Sequence, residues 1–183
     1  MKVWRVAIAA LSCLLLSGCL VTFKEPIAAN EAAPIPLLGN WERKDEWGDQ
    51  QYLSIVRSGS NVYRARVWSD PAENALVEEY GFTVAHHGRR WYVSAGLPKR
   101  LGANFAILGF ELTSGNELVI YNLDVERILQ EVGAGGLQGR PVETDEGEVV
   151  LVTSPLDRVF AYLDDQANAD VFVEVARYQR SDE

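Results

Sequence analysis

The chain has 183 residues, 48% of them hydrophobic, 10% aromatic and 23% charged, with a formal net charge of −9. That composition excludes intrinsic disorder, and the length excludes more than one ordinary domain beyond a targeting segment. The two cysteines, Cys13 and Cys19, both lie near the N-terminus, so the body of the fold has neither a disulfide framework nor a cysteine-based zinc site.

Lys2 and Arg5 make a short positive region, and Val6 to Leu16 form an uncharged, mostly apolar stretch; this is the layout of a secretory signal over residues 1–18. The stretch is too short to span a bilayer, which takes about 20 apolar residues. It ends in Leu16-Ser17-Gly18-Cys19, which resembles the lipobox of bacterial lipoproteins. Small side chains at Ser17 and Gly18 open the backbone to a peptidase, and a thiolate is the nucleophile that the alkylation requires. Cys13 fits less well, because Ala10-Leu11-Ser12 puts a bulky Leu where the motif takes a small residue.

The resemblance implies a mature chain starting at Cys19 that carries a covalent diacylglycerol and an N-acyl chain and no other cofactor. Two or three acyl chains anchor stably where one does not. Asp after the cysteine tends to retain such proteins in the inner membrane; Leu20 here implies the outer membrane, with the protein facing the periplasm unless it is exported to the cell surface. Loss of Lys2 and Arg5 leaves 15 basic against 26 acidic residues, a net of −11. Nucleic acid is thereby disfavoured as a partner, and membrane attachment falls to the acyl chains instead of a basic patch.

With Pro26, Pro34 and Pro36 and no sustained period, residues 20–36 read as a flexible tether spanning about 23 Å as a coil. Residues 37–183 then form a single mostly antiparallel β domain. Period-two alternation marks strands from Gly39, at Tyr52 to Val56 and at Val62 to Trp68, the last two joined by Ser58-Gly59-Ser60-Asn61. Further strands are predicted at 80–85, 91–94, 105–112, 118–121, 149–152 and 171–175. Nine strands of this spacing predict a sheet curled into a barrel or half-barrel.

Two short helices cover it. Asp124 caps one whose stripe is Val125, Ile128, Leu129 and Val132, with Gly133 as its stop. Ser154 as N-cap and Pro155 at the first helical position open the other, which buries Leu156, Val159, Phe160 and Leu163.

Gly39-Asn40-Trp41 resembles the G-x-W signature on the first strand of lipocalins. The resemblance implies a lipocalin-like barrel in which Trp41 closes one end and an arginine near the C-terminus, Arg177 or Arg180, stacks on it; Arg177 is the expected partner. The family's Thr-Asp-Tyr element has no close match, the nearest segment being Tyr121-Asn122-Leu123-Asp124. Inward Leu, Ile, Val and Phe side chains either fill such a barrel or line a cavity for a small apolar ligand. A filled interior is the expectation adopted.

His86 and His87 fall in a turn with Gly88, Arg89 and Arg90, and adjacent strand residues point to opposite faces, so the pair does not chelate one metal. With Lys99 and Arg100 in the next loop they are the candidate basic rim for an anionic ligand or partner. The glycine-rich run from Gly133 to Gly139 follows a helix and lacks a Lys-Ser/Thr ending, which excludes a phosphate loop. No Gly-x-Ser-x-Gly elbow is present, so no catalytic residue is assigned. The functional expectation is a non-enzymatic binding or accessory lipoprotein with an envelope partner. The alternative is a carrier or sensor of a small apolar ligand; a hydrolase using carboxylates or the two histidines comes third.

Overall fold

In Gln50–Gly59 the side chains of Gln51, Leu53 and Ile55 are buried while their neighbours are not, and in Val62–Ser69 Tyr63 is buried while Arg64 is exposed. Strands patterned this way have one dry and one wet face, and eight of them close the sheet on itself. The computed structural model describes residues 20–45, 47–69 and 77–181. It has eleven strands: β1 (Leu20–Phe23), β2 (Gly39–Lys44), β3 (Gln50–Gly59), β4 (Val62–Ser69), β5 (Glu78–His87), β6 (Arg90–Gly96), β7 (Phe105–Leu112), β8 (Glu117–Leu123), β9 (Gly139–Thr144), β10 (Gly147–Val152) and β11 (Phe172–Arg180). The order β6-β5-β4-β3-β2-β11-β8-β7, with β7 pairing back to β6, is a closed eight-stranded antiparallel barrel. The fold is lipocalin-like.

At one end of the barrel lie the tight turns after β3, β5 and β7, where Asn61, Gly88 and Asn116 take positive φ values of 55, 56 and 58° as two-strand reversals commonly require. The longer connections after β2, β4 and β6 lie at the other end. Strands β1, β10 and β9 extend the sheet outward from β7. Among the described residues the α-helices are α1 (Val125–Ala134) and α2 (Leu156–Asp164). Among the described residues no helix is long and apolar enough to cross a membrane.

Two cores result. The inner one fills part of the barrel with Trp41, Leu53, Tyr63, Phe82, Phe110 and Tyr178 among others. The outer one lies between the barrel wall, through Ala85, Tyr92 and Ile107, and the layer carrying Phe23, Ile128, Val150, Phe160 and Leu163.

The structure corrects several expectations. Residues 20–36 are not a tether. Leu20 to Phe23 are buried and pair in parallel with Val149 to Val152. The following segment crosses the outside of the barrel, where Ile27 N donates to Ser94 Oγ (3.2 Å) and Thr83 Oγ1 donates to the Ile27 carbonyl (2.6 Å), and then joins the inner core at the closed end, where Ala33 N donates to Tyr63 Oη (2.8 Å). Leu20-Val21-Thr22-Phe23 is a β-forming run, and the prolines that suggested a coil lie beyond it.

Strand β9 was also not expected; Pro141 sits in it because β9 is the sheet edge, where a missing N–H is tolerated. Helix α1 has Asp124 as its cap, the carboxylate accepting from Arg127 N (3.0 Å), but it continues through Gly133 and stops at Gly135, whose φ is 81°. Helix α2 starts at Leu156 after Pro155, without a side-chain cap. The buried Ser154 hydroxyl instead accepts from Gln138 N (2.6 Å).

Candidate functional site

The barrel's two ends differ in how they are closed. At the turn end, Trp41 is buried and its indole Nε1 donates to the Leu37 carbonyl (3.0 Å), drawing the 3₁₀ turn Ile35–Leu37 under the barrel. The arginine stacked on Trp41 is Arg180, with its guanidinium carbon 4.5 Å from the ring centroid. Arg180 also donates to the carbonyls of Leu38 (2.7 Å) and Pro36 (2.9 Å). Gly39 takes φ +126°, and a Cβ there would lie 2.5 Å from Arg180 Nη1, so this position requires glycine. Arg177 is not the partner. It points to the outer surface and donates to Glu174 (2.9 Å) and Glu117 (2.7 Å). The bulge between Glu174 and Ala176 sets this register.

Toward the opposite end the barrel holds an apolar cavity of about 200 Å³, in place of the filled interior expected from sequence. Leu53, Ile55, Phe82, Phe110 and Ile120 form its walls, and the small side chains Ala65, Ala95, Ala106 and Ala176 leave the space. Engineered apolar cavities of about 150 Å³ stay dry and accept small hydrocarbons, whereas most ligand pockets run from about 300 to 1000 Å³. This cavity therefore suits an aromatic ring or a chain of modest length.

Its polar lining groups are few: Arg43, Glu78 and the phenols of Tyr80 and Tyr178. Tyr80 Oη donates to Glu78 Oε2 (2.5 Å), and burial, with the Glu78 carboxylate second, pushes the phenol well above its ordinary value. Arg43 Nε donates to Oε1 of the buried Gln51 (2.8 Å) and Nη1 to the Val175 carbonyl (3.4 Å), while the guanidinium lies 5.1 Å from the Tyr178 ring centroid. Three large apolar side chains that remain exposed, Trp47, Val77 and Val173, stand at this same end.

The candidate basic rim does not assemble. His86 and His87 end β5 instead of lying in the turn, which is Gly88-Arg89. His86 packs on Trp91 (4.8 Å between centroids) and His87 stacks on Phe160 (3.8 Å). Arg90 is committed to Glu111 (3.0 Å) and to the faces of Tyr121 and Phe172. Arg89 is exposed in the turn, and Lys99 and Arg100 lie past the far end of β6, about 20 Å away along the strand. Arg100 pairs with Glu146 (2.9 Å). Among the described residues no group of three or more His, Cys, Asp or Glu side chains is placed to hold a metal ion. Leu16, Ser17, Gly18 and Cys19 lie outside the described residues.

The sequence reading missed Arg43. The signal was present, since period two puts it on the same inward face as Trp41. An arginine on the face that should fill a barrel marks a place where the barrel is not filled.

Fold and cavity together define a lipocalin-like barrel closed at one end by Trp41 and Arg180 and holding an apolar cavity. Comparison with protein-family models finds no match, and searches of curated proteins and of solved structures find no significant one.

Proposed function

We propose that this protein is a binder of a small, largely apolar ligand, held at the outer membrane by acyl chains on Cys19 and facing the periplasm. One observation carries the binding half: an apolar cavity of about 200 Å³ inside the barrel. A barrel meant only as a docking scaffold gains nothing from such a space, because unfilled apolar volume costs about 24 cal/mol per Å³. The cavity thus favours the carrier reading over a filled barrel that docks to an envelope partner. The anchoring half is supported by Leu16-Ser17-Gly18-Cys19 directly after the apolar stretch.

The purified protein should raise the fluorescence of the neutral dye N-phenyl-1-naphthylamine in a saturable way, and octanol should displace the dye. Absence of saturable binding defeats the carrier reading. Radioactive palmitate should label the wild-type chain and not Cys19→Ala; labelling that persists in the variant defeats the anchor.

A further inference from the structure

Resting on the cavity reading, we propose that the ligand is an amphiphile with a carboxylate head, its apolar tail in the barrel and its head on Arg43 at a gap in the barrel wall. The gap lies where the barrel closes. Strands β2 and β11 share only the pairs Trp41 with Arg180 and Glu42 with Gln179, whereas β2 and β3 share six. Past Glu42 the two strands part, and the bulge at Glu174 to Ala176 leaves Val175 outside the ladder with β8.

A second, polar pocket of about 270 Å³ occupies this seam, between Arg43, Lys44 and Asp45 on one side and Glu174 to Arg177 on the other. Arg43, Val175 and Ala176 line both spaces. Arg43 therefore stands where apolar interior meets polar exit.

The charged groups at the seam cancel in sum, Arg43, Lys44 and Arg177 against Asp45, Glu174 and Glu117, so the preference for an anion rests on Arg43 itself. Arg177 is already neutralised by Glu174 and Glu117, and the Asp45 carboxylate accepts from the backbone of Trp47 (2.9 Å) and Asp49 (2.8 Å) in its own loop. Arg43 and Lys44 have no carboxylate within ion-pair distance among the described residues. Arg43 uses Nε and Nη1 on neutral oxygens, which leaves Nη2 with no protein acceptor among them. A guanidinium on an apolar wall gains most from a partner that is charged and can accept two hydrogen bonds. The other charged lining group, Glu78, sits three strands around the wall, about 14 Å away, and already accepts from Tyr80.

The test is displacement of N-phenyl-1-naphthylamine from the purified protein by three eight-carbon probes: octanoate, octanol and octylamine. Octanoate should displace the dye at about tenfold lower concentration than octanol, the gain expected of a charge-assisted hydrogen bond. Arg43→Gln should remove that preference and leave octanol unchanged, and Arg43→Lys should keep part of it. If octanol displaces the dye and octanoate is no better, the carboxylate assignment is wrong while the cavity reading stands. A preference for octylamine that disappears in Glu78→Gln overturns the assignment in favour of a cationic head. A dye that is never retained brings down both readings together.

Discussion

Strands β5, β6 and β7 show two unlike faces of one wall. Outward, Ala85, Tyr92 and Ile107 meet Phe160, Leu163 and β1 in an apolar layer from which water is excluded. Inward, Val93, Ala95 and Ala106 look across open space. Both faces follow the same alternation, so the pattern that makes a strand does not decide whether its dry side is filled. What decides is the sum of side-chain volumes from all facing elements. Bulky rings crowd the outer face: Tyr92 meets Phe160 edge-on at 5.1 Å, and His87 lies flat on the same ring at 3.8 Å. Four alanines distributed over four strands thin the inner one.

The contrast can be broken most directly on the crowded side. Phe160→Ala should cost about 3 to 5 kcal/mol, as large-to-small changes in close-packed interiors do, measured by denaturant unfolding at neutral pH. A loss below about 1 kcal/mol would mean that this layer is as loose as the barrel interior. A matched pair sharpens the comparison at smaller amplitude. Ala85→Leu adds volume where none is free and should cost about 1 to 3 kcal/mol. Ala95→Leu adds the same atoms to the cavity and should stabilise by about 0.5 to 2 kcal/mol while abolishing dye binding. Equal effects from the two leucines would erase the distinction between the faces.

The smallest effect lies on neither face. Gln179 donates to Glu117 (2.8 Å) and, with Thr113 and Arg177, holds this carboxyl below its ordinary value of 4.5. A depressed folded-state pKa contributes stability that is present above the unfolded value and lost as pH falls through the folded one. The denaturation midpoints of wild type and Glu117→Gln should therefore differ at pH 6 and converge toward pH 3. A difference that grows on acidification would contradict that ordering.

Much of the architecture was legible because it is local. Alternation located the eight barrel strands, and the i, i+3, i+4 stripes located both helices to within two residues. What stayed hidden depended on partners distant in sequence. Leu20 to Phe23 form a strand because Val149 to Val152 offer an edge. Ser154 leaves its capping role because Gln138 needs an acceptor. Arg180 instead of Arg177 reaches Trp41 because a bulge in β11 shifts the register upstream of both. The cavity is the least local feature, since no single strand contains it. Arg43 and, on β5, Glu78 hinted at it, as charges on faces that ought to be dry.

Strand β1 begins one residue after Cys19. An acyl group on that sulfur would be separated from folded structure by a single Cα step of about 3.8 Å. In place of a leash that lets the molecule tumble, there would be a stiff mount, and the domain would ride against the lipid surface in a restricted set of poses. The direction in which the barrel's mouth faces would then be set by the anchor itself, and ligand exchange would take place at a fixed angle to the bilayer.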